Sequence, residues 1–266
     1  MTTASLGTAL ITGASSGIGA LYADRLARRG YDLILVARNR QKLDRLADDI
    51  TNRTGRAVEV FTADLGDAAS LATVEDKLRQ DASITLLVNN AGIGTHTPLL
   101  QSDVARMTEM IHLNVTAPMR LAYAAVPGFV ARGRGALINI ASVVAIAPET
   151  LNGVYGASKA FVLAFSQSLR HELAAQGVRV QAVLPGATAT DFWALGGLPV
   201  EHLPSHIVMR ADDLVDAALV GFDRKEAVTI PSLYDEQAWQ TYEAARQALA
   251  PQLSSNQPAQ RYLAGA

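Results

Sequence analysis

A phenol and an ammonium, those of Tyr155 and Lys159, stand four residues apart. On a helix this spacing places both side chains on one face, one turn apart. An ammonium beside a phenol favours the phenolate and lowers the phenol pKa from its ordinary value of about 10. Lowering the phenol pKa to about 7 requires a differential interaction of about 4 kcal/mol, which is more than one lysine supplies. We therefore expect a positive charge on the cofactor, or burial, to contribute. A tyrosine poised near neutral pH is a general acid or base for a carbonyl and alcohol pair.

Ser142 can join this pair, because it lies just beyond the apolar run ALINI at 136–140. In open α/β sheets ligands bind beyond the carboxyl ends of the strands, where a serine can donate a hydrogen bond to a substrate oxygen. Each signal by itself has an ordinary explanation. Tyr155 and Lys159 could be a surface pair on a helix, and Ser142 could lie in a strand-end turn. The chemistry therefore depends on what else the sequence places in the same sheet.

The segment TGASSGIG at 12–19 joins a first β-rich run to a helix through three glycines. Glycines permit a tight turn and the close approach of a phosphate, and the helix N-terminus offers unpaired N–H groups and a positive dipole end. We interpret this turn as a cradle for dinucleotide phosphates rather than an ordinary glycine turn. Its spacing, G-x-x-x-G-x-G, differs from the commonest dinucleotide fingerprint. It also lacks the lysine of a P-loop, which argues against an ATPase.

Two arginines follow the second apolar run, DLILV at 32–36. A site for NAD commonly holds an Asp or Glu at this strand end to bind the ribose 2′-hydroxyl, whereas an arginine accommodates a 2′-phosphate. Arg38 and Arg40 are cationic, and a guanidinium matches phosphate geometry. We therefore predict NADP(H) as the preferred cofactor, with NAD(H) as an option. The alternative is two solvated arginines at the start of a helix.

Apolar runs of strand type alternate with stretches of helical periodicity along most of the chain. Strands separated by helices of this length require right-handed crossovers, which produce a parallel sheet. We predict strands at 10–12, 32–36, 57–61, 84–88, 136–140, 178–184 and 227–230. We predict helices at 17–29, around 43–50 and 71–78, over a long zone from about 102 to 131 with Pro118 and Pro127 as bends or end points, and at 155–175, 212–222 and 236–249.

The composition excludes several classes of protein. The 266 residues include 23 Lys and Arg against 25 Asp and Glu, and the net charge of −2 argues against nucleic-acid or membrane-surface partners. The absence of cysteine removes disulfides, thiolate nucleophiles and sulfur-ligated zinc, and it suits a cytoplasmic location. We expect neither a membrane span nor a signal peptide. His202 and His206 have a metal-like spacing, but Pro204 between them disfavours a helix, so we expect no metal.

The length and the lack of repeats or charged linkers predict a single dinucleotide-binding and catalytic domain over residues 1–250. Residues 251–266 are rich in Pro, Gln, Ser and Asn and are expected to form a flexible tail, unless a partner subunit orders them. The segment 187–210 is expected to be a lid over an apolar substrate pocket, with Gly196 and Gly197 as its hinge. Ordinary packing is the alternative role for its apolar side chains, which are Phe192, Trp193, Leu195 and Leu198.

Together these motifs resemble the short-chain dehydrogenase/reductase family, in its main branch of short, single-domain chains. The resemblance runs in family order over about two thirds of the chain, from Thr12 to Thr190. It implies a Rossmann-type α/β fold, which is a doubly wound parallel sheet of about seven strands with helices on both faces. The motifs that carry it are TGASSGIG at 12–19, Asp64-Leu65, Asn89-Asn90-Ala91-Gly92, Asn114, Ser142, Tyr155-x-x-x-Lys159 and PGATAT at 185–190.

The resemblance also implies roles for individual residues. The pyrophosphate and the adenosine ribose would be surrounded by Gly13, Ser15, Gly17, Ile18 and Gly19, and adenine would be contacted by Asp64 and Leu65. Beneath the adenosine half would pack Asn90 and Gly92, with Ala91 between them. The nicotinamide would be flanked by Pro185, Gly186, Thr188 and Thr190. For catalysis, Tyr155 would be the acid/base, Lys159 would bind the nicotinamide ribose, Ser142 would polarise the substrate oxygen, and Asn114 would hold a water that links Lys159 to solvent. Ser16 stands where some NADP enzymes carry a basic residue, so the cofactor preference rests on Arg38, with Ser15 and Arg40 as helpers.

The expected reaction is hydride transfer between the nicotinamide and a carbonyl or secondary alcohol, with Tyr155 moving the proton. Residues near Val143, Thr150, Leu151 and Asn152 would line the pocket and suggest an uncharged, largely apolar small molecule. Many relatives assemble through helices near 102–127 and 155–175, so we expect a homodimer or homotetramer. Two alternatives stay open. One is a binding protein that senses the cofactor without turnover, and the other is a nucleotide-sugar epimerase or dehydratase, whose chains tend to have a larger C-terminal domain.

Overall fold

Strands and helices alternate along the chain, as the two hydrophobic periodicities predict. The computed structural model describes residues 6–263. The first half contains β1 (Thr8–Thr12), α1 (Gly17–Arg28), β2 (Asp32–Ala37), α2 (Arg40–Thr54), β3 (Val58–Thr62), α3 (Ala68–Gln80), β4 (Ile84–Asn89), α4 (Val104–Ile111) and α5 (Ala117–Ala131). The second half contains β5 (Gly135–Ile140), α6 (Gly153–Leu173), β6 (Val178–Val183), β7 (Thr188–Ala189), α7 (Phe192–Leu195), β8 (Met209–Arg210), α8 (Ala211–Asp223), β9 (Val228–Thr229) and α9 (Glu236–Leu249).

Seven parallel strands form the main sheet of the described chain, in the order β3-β2-β1-β4-β5-β6-β9. The chain winds outward from β1 in one direction and from β4 in the other, which makes the crevice beyond the carboxyl ends of these two strands the topological switch point. Ile11 pairs with Val88 along this seam. The sheet confirms the predicted Rossmann-type α/β fold. It also places the glycine turn after β1 where such sheets bind ligands.

The central strands are buried on both faces, which explains their continuous apolar runs. Alternate residues of β1 belong to two separate cores. Ala9 and Ile11 pack with residues of α1, α2 and α8, whereas Leu10 packs with residues of α3, α5 and α6. All six residues of β4 are buried as well. This double burial anchors the carboxyl edge of the sheet, from which the loops of the candidate site emerge.

The long helical zone predicted from 102 to 131 is two α-helices joined by one wider turn. Between α4 and α5, the turn His112–Thr116 is a π-helix, a feature that is frequent at functional sites. Pro118 lies in the first turn of α5, directly after the π-helical turn in which the Ala117 N–H donates to the His112 carbonyl oxygen. Pro127 does not end the helix, because Ala125 and Phe129 on either side of it are buried against the core.

The segment predicted to form a lid is closed at its base by a pair of parallel strands, β7 and β8. Thr188 pairs with Met209, and both residues lie within the segment 187–210. Between these strands lie α7 and two short 3-10 turns, Val200–His202 and Ser205–Ile207. The mobility of this segment stays a prediction.

The described chain divides into two compact units, with the boundary between Ser232 and Leu233. The second unit contains α9, which has no buried residue, and 3-10 turns at Ala250–Gln252 and Gln260–Tyr262. The domain end predicted at residue 250 and the flexible tail beyond it stay predictions. Within residues 6–263, no helix is both long and apolar enough to cross a membrane. Across this same part of the chain, no three His, Asp or Glu side chains cluster so that they could hold a metal ion.

Candidate active site

The glycine turn between β1 and α1 has the backbone that its sequence predicts. Gly13 and Gly17 have φ angles of 66° and 54°, in the left-handed region that favours glycine. A side chain at Gly13 would also lie 2.8 Å from the Asn90 amide nitrogen. Ser15 is partly exposed, and Ser16 precedes the first turn of α1 without a side-chain hydrogen bond that caps it. The first N–H groups of α1 therefore face a cradle that suits a phosphate.

Side-chain hydrogen bonds fasten this cradle to the end of β4. The Thr12 hydroxyl accepts hydrogen bonds from the backbone N–H groups of Asn90 and Ala91, at 2.9 and 3.0 Å. The Asn90 amide nitrogen donates to the carbonyl oxygens of Thr12 and Gly13, at 2.9 and 3.3 Å. Asn90 and Ala91 thus hold the shape of the loop from the neighbouring strand. The same contacts make Thr12 a positioning residue, a role that its place in the motif did not reveal.

Neighbouring atoms lie close to two further glycines of the loop. Ile18 packs against the core on the α1 side. A side chain at Gly19 would collide with the carbonyl oxygen of Gly13, and one at Gly17 would lie 3.4 Å from the Thr190 methyl carbon. The loop after β6, which holds Thr190, therefore lies beside the glycine loop. Because a Cβ would fill this space, the residues present fit the diphosphate of a bound nicotinamide dinucleotide.

Arg38 and Asp64 follow the carboxyl ends of the neighbouring strands β2 and β3. The Arg38 guanidinium lies 3.9 Å from the Asp64 carboxylate, and its side chain is 76% exposed. Arg40 is instead bound by Asp44, with its Nε 2.7 Å from the carboxylate. Arg38 is therefore the better placed of the two arginines to reach a 2′-phosphate. The Leu65 side chain, predicted to contact adenine, is buried in the core on the α3 side.

Tyr155 and Ser142 come together between the first turn of α6 and the end of β5. Both side chains are buried. The Ser142 hydroxyl donates to the Pro185 carbonyl oxygen at 3.3 Å, and it lies close enough to the Tyr155 phenol to lower the pKa of that group. Two hydroxyl groups therefore face one point at the carboxyl edge of the sheet, as the sequence predicts.

Burial dominates the protonation of the site. It raises the pKa of Tyr155 to about 12, and the hydrogen bond with Ser142 offsets this only in part. It also lowers the pKa of Lys159 to about 8. The expectation that burial helps to bring the tyrosine pKa down is therefore wrong, because the loss of water disfavours both the phenolate and the ammonium. In the protein alone, Tyr155 holds its proton at neutral pH.

Lys159 shares a face of α6 with Tyr155, as their spacing predicts. Its ammonium nitrogen lies 5.9 Å from the centre of the Tyr155 ring. The same nitrogen donates to the Ile140 carbonyl oxygen at the end of β5, at 2.9 Å. The lysine is thus held at the sheet edge by the strand that also leads to Ser142.

Asn114 lies in the π-helical turn and is buried. Its side-chain oxygen accepts from the Ile93 N–H at 3.0 Å, and its amide nitrogen donates to the Ile93 carbonyl at 2.8 Å and the Ser158 hydroxyl at 3.1 Å. A side chain at Gly92 would lie 3.1 Å from that oxygen and 3.5 Å from the Lys159 nitrogen. Gly92 therefore adjoins the catalytic side of the site. Its packing beneath the adenosine half and the water held by Asn114 stay predictions.

The loop after β6 forms another wall of the site. The Pro185 carbonyl accepts from the Val143 N–H at 2.9 Å. The Thr188 hydroxyl donates to the Gly186 carbonyl at 3.0 Å, and the Trp193 indole N–H donates to the Thr188 carbonyl at 3.0 Å. The segment predicted to flank the nicotinamide is thereby tied at one end to the loop after β5 and at the other end to α7.

A cleft opens beside Tyr155. The Phe192 ring lies over Tyr155, with 5.7 Å between the ring centres. Leu195, predicted to belong to the apolar face of the lid, is 81% exposed and points to solvent. Asn152, expected to line the pocket, is instead buried and caps α6. The lining residues are Gly94, Thr95, His96, Leu151, Tyr155, Phe192, Trp193, Gly196 and Leu198.

Three of these lining residues, Gly94, Thr95 and His96, were not predicted from the sequence. They directly follow the NNAG segment at the carboxyl end of β4, and this position is the signal that could have identified them. His96 Nδ1 lies 3.2 Å from the Gly196 carbonyl oxygen. The loop after β4 therefore contacts the glycine pair that was predicted as the hinge of the lid.

The sequence profile described as short chain dehydrogenase matches residues 7–195, well over half of the chain. The chain belongs to the short-chain dehydrogenase/reductase family. The matched range includes the glycine loop and the three residues Ser142, Tyr155 and Lys159. The match confirms the resemblance seen in the sequence, and it identifies the chain as an oxidoreductase of this family.

Solved structures of short-chain dehydrogenases resemble the chain along almost its whole length. A short-chain dehydrogenase from Sphingobium yanoikuyae in complex with NADPH is 52% identical, has a TM-score of 0.94, and covers 97% of this chain and 100% of its own. The bulky-bulky ketone specific alcohol dehydrogenase from Comamonas testosteroni is 46% identical, has a TM-score of 0.90, and covers 98% of this chain and 100% of its own.

A reductase among the curated relatives is less similar to the chain than these two structures are. The very-long-chain 3-oxoacyl-CoA reductase of Anas platyrhynchos is 36% identical over 189 residues, which are 68% of this chain and 60% of that protein. The chain spans about three fifths of the length of the curated relatives it matches.

Proposed function

We propose that this oxidoreductase reduces ketones with NADPH, and oxidises the matching secondary alcohols in reverse, with Tyr155 as its general acid/base. The observation that carries the proposal is the placement of the buried Ser142 hydroxyl close enough to Tyr155 to affect its pKa, beside the cleft that Tyr155 lines. Both hydroxyls lie at the edge of the sheet next to the loops that fit a dinucleotide. A carbonyl oxygen in the cleft would meet both of them.

In this proposal the two hydroxyls act on the same oxygen. Ser142 donates a hydrogen bond to it, and Tyr155 gives it a proton as the alcohol forms. Burial suits Tyr155 to this role, because a pKa of about 12 keeps the phenol protonated at neutral pH. The Lys159 ammonium, 5.9 Å from the ring centre, stabilises the phenolate that is left. When bound, the nicotinamide supplies or accepts the hydride.

The preference for NADP(H) is part of the proposal and rests on Arg38. No acid stands at the end of β2, where an NAD site commonly binds the ribose 2′-hydroxyl. Arg38 is exposed at that position and is paired only at 3.9 Å. The NADPH complex of the relative from Sphingobium yanoikuyae supports this assignment. The phosphate of the cofactor would pair with the guanidinium in place of Asp64.

We propose an uncharged ketone with two large apolar substituents as the substrate class. The cleft is lined by four large apolar side chains besides Tyr155, and these are Leu151, Phe192, Trp193 and Leu198. Such a lining favours apolar groups on both sides of a carbonyl, with a few polar groups to orient it. The name of the Comamonas testosteroni relative, a bulky-bulky ketone specific enzyme, supports this choice.

The test is a panel of ketones of graded bulk, assayed with NADPH and NADH in parallel on the purified chain. We expect NADPH consumption with bulky apolar ketones and weaker use of NADH. Tyr155→Phe should abolish turnover while NADPH still binds, as followed by its fluorescence. NADPH binding without turnover on any carbonyl would instead support the alternative, a cofactor-sensing protein. Full activity of Tyr155→Phe would refute the assignment of the acid/base.

We further propose that two or four copies of the chain assemble through α5 and α6. Tyr123 of α5 is 71% exposed and stacks on Phe165 of α6, with 6.5 Å between the ring centres. Phe161 also stacks on Phe165, with 5.6 Å between the ring centres. An aromatic row of this kind suits burial in an interface. Light scattering after size-exclusion chromatography measures the number of copies. The cytoplasmic location stays a prediction, and cell fractionation tests it.

A further inference from the structure

We propose that Asn152 is a positioning residue that fastens the substrate-side loop to the helix that carries Tyr155. This inference rests on the proposed function and names a residue that sets the geometry of that site. Asn152 is the N-cap of α6, and the residue is 5% exposed. Its amide makes four hydrogen bonds, two as an acceptor and two as a donor.

The acceptor half of the amide holds the catalytic helix. The Asn152 side-chain oxygen accepts from the backbone N–H of Val154 at 2.9 Å and from that of Tyr155 at 3.2 Å. These are two of the N–H groups that have no partner within the helix. The cap thus binds the backbone of Tyr155 directly and fixes the position of the backbone that carries the phenol.

The donor half of the amide holds the wall of the cleft. The Asn152 amide nitrogen donates to the Thr97 carbonyl oxygen at 2.6 Å and to the Ser102 hydroxyl at 3.2 Å. The Thr97 side chain and backbone N–H both contact the Thr95 hydroxyl, at 2.9 and 3.1 Å. Thr95 lines the same cleft as Tyr155. A continuous path of hydrogen bonds therefore joins these two lining residues through the Asn152 side chain.

This double role needs an amide. A serine or an aspartate at the N-cap can accept from the first N–H groups, but aspartate has no donor for the Thr97 carbonyl and serine is shorter. Asparagine supplies an acceptor and two donor hydrogens on one short side chain. Cap and tether can therefore be separated by substitution, which gives each half its own signature.

Asn152→Ser keeps the cap and removes the tether, whereas Asn152→Ala removes both. For Asn152→Ser we expect the KM for a bulky ketone to rise about five- to tenfold, the effect of two lost hydrogen bonds. The kcat and the NADPH affinity of this variant should stay within about twofold of wild type. The apparent pKa of its kcat–pH profile should stay within a few tenths of a unit of the wild-type value. Asn152→Ala should add a fall in kcat and a displaced pKa, because Tyr155 loses its anchor. The matched control is Asn39→Ser, the same change at the N-cap of α2, which should leave the ketone KM unaltered.

Hydrogen–deuterium exchange tests the tether without any turnover. In Asn152→Ser, the peptide that covers residues 94–102 should exchange faster, while the glycine loop at 12–19 keeps its wild-type rate. Unaltered exchange at 94–102 together with a wild-type ketone KM would overturn the proposal. Equal losses of kcat in both variants, with KM unaltered, would overturn it as well and would leave Asn152 as a helix cap alone. If wild type turns over no ketone, the proposed function fails, whereas faster exchange in the variant still supports the tether.

Discussion

The ring of Phe192 occupies the space into which a side chain at Gly94 would have to project. Two of its ring carbons, Cε1 and Cε2, lie 3.1 Å from an ideal Cβ at Gly94, and Cζ lies closer still. The same ring packs over Tyr155, with 5.7 Å between the ring centres. The bare backbone at Gly94 therefore allows an aromatic side chain of the lid to rest on the proposed acid/base.

This contact predicts that Gly94→Ala displaces Phe192 from Tyr155. We expect the KM for a bulky ketone to rise roughly tenfold, since a methyl group forced into a filled space costs of the order of one kcal/mol or more. In a Phe192→Ala background the same alanine should change KM less than twofold, because the clashing ring is gone. Steady-state kinetics on the four proteins of this cycle measure the coupling. Equal effects of Gly94→Ala in both backgrounds would show that the two residues act independently.

Arg38→Ala should weaken the use of NADPH and spare that of NADH. We propose that the Arg38 guanidinium binds the 2′-phosphate, so we expect the KM for NADPH to rise about tenfold and the KM for NADH to change less than twofold. Arg40→Ala is the matched control. Its guanidinium is already bound by Asp44, so we expect at most a twofold change with either cofactor. A larger effect at Arg40 than at Arg38 would show that Arg40, and not Arg38, binds the 2′-phosphate.

The buried ammonium of Lys159 predicts a pH dependence of stability. Burial lowers its pKa from 10.5 to about 8, so between these values the folded protein has released a proton that the unfolded chain still binds. Stability therefore increases with pH across this window. Relative to Lys159→Met, wild type should gain roughly 2 kcal/mol of unfolding free energy between about pH 7.5 and about pH 9.5. Denaturant unfolding of both proteins without cofactor measures this, and a constant or falling difference would contradict it.

Gly92→Ala separates two roles for the NNAG segment. The methyl group would lie 3.1 Å from the Asn114 oxygen and 3.5 Å from the Lys159 nitrogen, in a site without the positive φ that would bar alanine. We expect kcat to fall about tenfold while the Kd for NADPH stays within twofold, because the crowding affects Lys159, which we propose stabilises the phenolate. Gly153→Ala, with no atom within 4 Å of the added carbon, is the control. Weaker NADPH binding with an unaltered kcat would place Gly92 under the adenosine half instead.

The amino-acid sequence by itself determined the fold and the edge of the sheet that carries the site. The unbroken apolar run of β4 predicts a strand buried on both faces, and parallel strands place their carboxyl ends at one edge. That rule alone brings Thr12, Asn90 and Ser142 together. The four-residue spacing of Tyr155 and Lys159 places both on one face of a helix. Each of these conclusions needs only a local periodicity or a connection rule, so each can be read along the chain.

The tertiary structure alone decided what these residues contact and how they titrate. Only the folded chain shows that Gly94 faces Phe192, and that Asn152 binds both the Tyr155 backbone and Thr97. It also reversed the expected direction of the Tyr155 pKa, which burial raises. The physical reason is that loop contacts depend on where separate strands end in space, and desolvation depends on every group that surrounds a side chain. Neither quantity is encoded in the spacing of residues along the sequence.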